Sequence, residues 1–293
     1  MHDFNDNNPE IRNLYCIIEQ ISIKQSVNRQ VSHFCIFTSL VKMAMMSIKR
    51  YGGDNMLALI LTGGIIASFI YAATSMENIK FMFRRSQCDR CKGNLRWHHL
   101  LPVVSFLLLQ GRCKFCRKKI DISYPLCEII VIILFVLPLF FDLGLADYTL
   151  YYLVVTLLVP VSFYDFNTLT IPNHMSLLFL VTGLYLTELY YIEPVRDFSI
   201  ILLLHLVYFL FSESIGYGDI KLFTVLTLIS PVNFFIYTVL LTYIIGGLFV
   251  IVINLYKEYK NQKIPLVPFI STAAVLCFFL YEEFNLIYYG GFL

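Results

Sequence analysis

The chain has 293 residues, 58% of them hydrophobic and 14% charged, with a mean hydropathy of +0.71 and a net charge of +2. Soluble globular domains carry roughly 25% charged residues, and one core of this size could not hide so much apolar surface, so soluble, disordered and disulfide-rich secreted classes are excluded. The small net charge points to no nucleic-acid partner, and the lipid bilayer is the solvent that the composition suits.

Residues 1–55 are neither periodic nor strongly apolar, and no signal-peptide pattern explains them. They carry Arg12, Lys24, Arg29, Lys42, Lys49 and Arg50. Gly52–Met56 back-translates as GGA-GGT-GAT-AAT-ATG, a bacterial ribosome-binding site followed by a start codon. The expected natural start is therefore Met56, with 1–55 a spurious or non-conforming extension; a peptide mapping upstream of Met56 would overturn this. The bland alternative is a true extension.

Spanning helices need about 20 mostly apolar residues. Eight candidates follow, at 56–74, 122–141, 147–163, 173–191, 198–212, 220–232, 234–255 and 265–281. No alternating strand pattern suggests a barrel. The expected fold is an all-α polytopic membrane protein of about eight transmembrane helices with a cytoplasmic four-cysteine loop. Its domains are the first helix 56–74, a zinc-binding loop 75–121 and a transmembrane domain 122–293.

The segment 77–121 holds eleven of the twenty-two Lys and Arg residues and only three acids. The positive-inside rule puts it in the cytoplasm. Counting from there, 142–147 and Ser230–Asn233 fall outside without a basic residue, and 192–197 falls outside with one Arg. The stretches 164–172, 213–219 and 256–263 fall inside, the last with three Lys.

The loop contains Cys88-Asp-Arg-Cys91 and Cys113-Lys-Phe-Cys116, with twenty-one residues between the pairs. Two such knuckles present four thiolates to one ion, a strong signal for structural zinc. Arg90, Lys92, Arg112, Lys114, Arg117, Lys118 and Lys119 help to hold thiolates deprotonated. A redox switch is the rival reading, weakened by a cytoplasmic setting. Trp97–Leu109 is too short to span and lies at the interface or re-enters. His98 and His99 are read as interfacial rather than as ligands. Cys16, Cys35, Cys127 and Cys277 have no partner pattern; the last two read as small apolar residues in helices.

Ionisable residues at membrane depth default to functional candidates. Asp165 ends the third span and Asp219 begins the sixth, on the same membrane face by the charge count. Two facing carboxylates in a poorly hydrated site cannot comfortably both ionise. One then holds a proton while its partner acts as base, an arrangement that activates water against an amide. Gly216 and Gly218 would allow a tight turn and close approach of a substrate backbone. The competing reading is plain: Asp219 caps a helix and Lys221 anchors at the interface. Glu128 and His205 read as interior groups satisfied by neighbours. No Ser-His-Asp arrangement, HExxH, phosphate loop or dinucleotide fingerprint is found.

These residues together resemble the bacterial prepilin peptidases, or type 4 leader peptidases, from about Met56 to the C-terminus. Thr62–Phe69 looks like the glycine-rich first helix of that family, and Cys88 to Cys116 resembles its four-cysteine domain. His99–Ser105 and Tyr124–Glu128 resemble the segments within and after it. Asp165 with Ile171-Pro172-Asn173 matches the first aspartate motif, and Gly216-Tyr217-Gly218-Asp219-Ile220-Lys221 matches the GxGD motif and its continuation. Each motif alone is modest; their order and spacing are specific.

The resemblance implies an aspartic membrane protease with Asp165 and Asp219 as its dyad, in the bacterial cytoplasmic membrane. The implied substrates are type IV prepilins and pseudopilins, cut after the glycine that ends a short basic leader. Low-GC residue usage points to competence pseudopilins of a Gram-positive bacterium, with secretion pseudopilins and type IV pilus subunits as further clients. Many family members also methylate the new N-terminus from S-adenosylmethionine, and with no nucleotide loop in the sequence that activity stays open. The rival readings are another GxGD intramembrane protease and a zinc-stabilised scaffold or transporter.

Overall fold

The computed structural model describes residues 56–75, 88, 91, 93, 103–213, 215–256 and 263–290. The expectations for residues 1–55, for Arg90, Lys92, His98 and His99 and for most of 256–263 lie outside these residues. Among the described residues every regular element is helical, and the one extended pairing is an isolated antiparallel bridge between Arg112 and Lys119.

The helices in chain order are α1 (Met56–Thr74), α2 (Val104–Leu108), α3 (Ser123–Val136), α4 (Tyr148–Thr168), α5 (Asn173–Leu186), α6 (Pro194–Leu210), α7 (Tyr217–Ile229), α8 (Val232–Tyr256), α9 (Val267–Phe279) and α10 (Tyr281–Tyr288). Each of the eight apolar runs therefore holds a helix, with shifted ends. α4 continues five residues past the expected 163, so Asp165 sits in a helix rather than in the loop after it. α6 starts at Pro194, where a proline costs no helical hydrogen bond. α10 was not expected; it leaves α9 at 83°.

α1, α4 and Val232–Leu255 of α8 are long and apolar enough to cross a membrane, and the bent pair α9–α10 is a fourth candidate. The other apolar helices have 13 to 17 residues. At 1.5 Å per residue they reach about 20–26 Å, short of a hydrocarbon core of about 30 Å. Eight full-length spans do not follow from helix lengths.

α4 is the hub, packed by α1, α3, α5 and α9. It is apolar all round, as an interior helix must be, and Leu150–Ser162 are all buried. Its Tyr151 hydroxyl donates to the Leu134 carbonyl over 2.7 Å. Pro138 stands four residues after Leu134 and has no N–H to give that carbonyl, so the tyrosine replaces the lost helical bond. Tyr152 donates likewise to the Phe135 carbonyl over 3.2 Å. α1 closes on α3, where a Cβ on Gly63 would stand 2.9 Å from the Phe135 ring. α7 lies against α5, α6 and α8, and α8 packs on α9. Asp165 on α4 and Asp219 on α7 thus come from two helices that both pack on α5.

Candidate active site

Asp165 is buried in the last turns of α4. Its Oδ2 accepts from the backbone N–H of Val267 over 3.3 Å. Val267 opens α9, followed at once by Pro268. The N–H groups of a first helical turn have no partner within the helix, and they favour an anion in front of them. The buried carboxylate is thereby aimed at a helix N-terminus rather than left in an apolar wall.

Asp219 is the third residue of α7, whose N-cap is Gly216. Its backbone N–H donates to the Gly216 carbonyl over 3.1 Å, and its carboxylate accepts from the Gly216 N–H. This is the reciprocal half of a capping box, in which Asp219 serves the N-cap residue Gly216 and is not itself the N-cap. The carboxylate also lies within electrostatic range of Asp165. α7 therefore orients a carboxylate towards the second acid while that acid ends α4.

The two glycines act differently from the expected tight turn. Gly216 has φ −71 and ψ 134, an ordinary extended conformation, and Gly218 lies inside the helix. What each requires is space. A Cβ on Gly216 would stand 2.9 Å from Asp219 Oδ2, and one on Gly218 would stand 2.9 Å from Ile171 Cδ1. The neighbour that needs the room is the chain's own Ile171, on the turn that follows Asp165.

That turn is gripped from both sides. Leu169 ends α4 at φ 56 and returns its N–H to the Asp165 carbonyl over 2.7 Å. Lys221 Nζ donates to Asn173 Oδ1 over 2.7 Å and lies 4.7 Å from the centroid of the Tyr217 ring. Lys221 is thus a strut between the two aspartate motifs, not an interfacial anchor alone. On the other side Asn167 donates to Ser123 Oγ over 3.1 Å, and His174 Nε2 sits 3.0 Å from the Ala73 carbonyl at the end of α1.

Sequence reasoning missed the Val267 N–H, the Lys221–Asn173 contact and Tyr243. The Val267 N–H has no side-chain signal; only the proline after it marks a helix start. Asn173 was visible as part of a motif, but its bond to Lys221 depends on packing. Tyr243 of α8 lies within electrostatic range of Asp219, and no spacing rule relates residues 219 and 243.

The four cysteines form a cluster whose Sγ atoms all lie within 4.8 Å of one another. Cys88 and Cys116 are 4.0 Å apart. A tetrahedral zinc with Zn–S near 2.3 Å requires S···S separations of about 3.8 Å, so the donor set fits that ion by type, number and spacing. The second knuckle is a short hairpin, with the Cys113 N–H donating to the Lys118 carbonyl over 2.9 Å and the Ile120 N–H to the Gly111 carbonyl over 2.8 Å. Cys127 and Cys277 are buried in helices, away from that cluster. Glu128 is buried and accepts from the Val103 N–H over 2.7 Å and from the Ser68 side chain. His205 is half-buried and bonds the Ile201 carbonyl of its own helix over 2.8 Å.

Two family models match. The one described as the bacterial peptidase A24 N-terminal domain covers residues 61–141, and the one described as the type IV leader peptidase family covers residues 151–251. A prepilin leader peptidase/N-methyltransferase of Bacillus subtilis (strain 168) is 28% identical over 79% of this chain and 96% of the relative. One from Aeromonas salmonicida (strain A449) is 30% identical over 67% of this chain and 72% of the relative. One from Vibrio cholerae serotype O1 is 29% identical over 67% and 81% respectively. No solved structure matches.

Proposed function

We propose that this chain, which belongs to the type IV leader peptidase family, is an aspartic endopeptidase that removes the basic leader from type IV prepilins or pseudopilins at the cytoplasmic face of the bacterial membrane. The observation that carries the reading is the meeting of the two aspartate motifs: Asp165 and Asp219 lie within electrostatic range, on helix ends strutted by Lys221 and Asn173.

Like charges at close range do not both ionise readily. The dyad therefore holds one proton as a pair, and its titration belongs to the pair rather than to either residue. The ionised carboxylate takes a proton from a water, whose oxygen attacks the scissile carbonyl carbon. The protonated partner gives its proton to the carbonyl oxygen. When the tetrahedral intermediate collapses, the C–N bond breaks, the leaving amine takes a proton from the carboxyl that accepted one from water, and a hydroxyl of the intermediate returns its proton to the other carboxylate, which leaves a carboxylic acid and restores the dyad. The apolar helix of the substrate lies in the bilayer beside the bundle, and its leader reaches the dyad at the membrane edge.

In this reading the eight apolar helices all serve as membrane segments, the shorter ones crossing a bundle whose edge is locally thinned or tilted. Cys88, Cys91, Cys113 and Cys116 hold a structural zinc. Bound by these four thiolates, a zinc ion would tie the two knuckles together as a structural crosslink. Methylation of the new N-terminus from S-adenosylmethionine is the second proposed activity, suggested by the names of the relatives.

The test is incubation of the full chain in nanodiscs with a prepilin bearing a basic leader, followed by N-terminal sequencing and mass measurement of the product. A single cut after the leader glycine is expected, and a mass gain of one methyl group would add the second activity. An intact prepilin, or a cut within its apolar helix, would overturn the reading.

A further inference from the structure

The described part of the cysteine module carries an exposed surface of two kinds. Val104, Leu107 and Leu108 are exposed by 50%, 67% and 76%. They stand at positions i, i+3 and i+4 of α2 and so share one face. The hairpin that follows exposes Arg112, Lys114, Arg117, Lys118 and Lys119, five cations in the eight residues Arg112–Lys119. An apolar face joined to a cationic one is the pattern of a segment lying in a membrane interface.

The depth of α2 is fixed by a second observation. The N–H of Val103, the residue before α2, donates to Glu128 Oε2 over 2.7 Å. Glu128 lies five residues into α3, which begins at Ser123, and it also bonds Ser68, six residues before the end of α1. At 1.5 Å per residue, Glu128 and Ser68 lie about 7–9 Å inside the ends of these two helices, and the start of α2 lies within a side chain's reach of that level. A face at that level, pointing away from the protein, meets lipid rather than cytoplasm.

We propose that α2 and the 112–119 hairpin form an anionic-lipid anchor: Val104, Leu107 and Leu108 enter the interface, and Arg112, Lys114, Arg117, Lys118 and Lys119 meet the phosphates of acidic headgroups. The charge sign chooses the occupant. A basic leader peptide is repelled by this surface, whereas an anionic leaflet attracts each Lys and Arg near it. Long basic side chains also reach the headgroups while their stems remain apolar. The anchor rests on the membrane placement of α1 and α3 and not on the peptidase chemistry, so the two fail separately.

Trp97 is the only tryptophan, which makes a clean optical test. The full chain carrying Trp97→Phe and Leu108→Trp is placed in nanodiscs containing lipids brominated near the headgroup end of the chain. With phosphatidylglycerol present, strong quenching of the probe is expected. In purely zwitterionic discs, or after Lys118→Glu with Lys119→Glu in acidic discs, quenching should fall by roughly half. The lipid comparison needs no charge variant, so it decides even if that variant fails to fold. Quenching indifferent to lipid charge, a probe reached only by aqueous iodide, or a probe moved off the lipid by added prepilin would each overturn the anchor.

Discussion

Lys221 Nζ donates to Asn173 Oδ1 over 2.7 Å and so ties the helix that bears Asp219 to the turn that follows Asp165. In the proposed mechanism this bond sets the approach of the two acids. The bond is exposed to solvent, so its share of stability is under about 1 kcal/mol. Lys221→Met should leave thermal unfolding nearly unchanged and lower prepilin cleavage about tenfold through kcat, with KM little affected. Equal loss of stability and activity in melting and cleavage assays would make the lysine structural only.

The contact of Gly218 with Ile171 gives a second, sharper expectation. A methyl at 218 would gain about 1 kcal/mol of helix propensity, against a cost of about 1–3 kcal/mol for overpacking. Since the atom met first is the mobile Cδ1 of Ile171, Gly218→Ala should fold. Gly218→Val should not pack without moving the turn, and should lose most cleavage. Adding Ile171→Ala should restore part of it, and a double-mutant cycle on cleavage rates measures that coupling.

Glu128 should act through its acceptor oxygen rather than its charge. Glu128→Gln keeps an oxygen for the Val103 N–H and should be near neutral. Glu128→Ala leaves that N–H without its acceptor and should cost about 1–3 kcal/mol, read as a lower unfolding temperature of the full chain in nanodiscs. Loss of the same size in both variants would contradict the tether.

Removal of zinc should act on the module before the chemistry. Structural zinc supplies much of the folding energy of small modules. Cys113→Ser, at the buried thiol of the cluster, should lower bound zinc and speed proteolysis within 75–121, with a smaller effect on turnover of the surviving intact protein. Unchanged zinc content and unchanged proteolysis would exclude the four-thiol site.

The helices were legible where apolar runs are long, as in α1 and α8, because the 20-residue signal depends on composition alone. The end of α4 was not: Tyr164–Thr168 is polar enough to read as a loop, yet burial of Asp165 and the N–H of Val267 keep it helical. The motifs of Asp165 and Asp219 and the spacing of the four cysteines stood out as local patterns. The strut through Asn173, the space needed by Ile171 and the donor at Val267 are contacts between residues 47 to 102 positions apart, and no local pattern encodes them. α10 escaped notice because Glu282 and Glu283 interrupt its apolar run.

Cleavage of the leader peptide is proposed to need Asp165 and Asp219 together. It is tested most directly by comparing the parent chain with Asp165→Asn and Asp219→Asn, each purified in nanodiscs with melting verified, on one prepilin substrate. Either change should lower the cleavage rate by about 10²–10⁴-fold or more, and the double variant should be no worse than the singles, since the pair acts as a unit. A well-folded Asn variant that cleaves at the parent rate would contradict it.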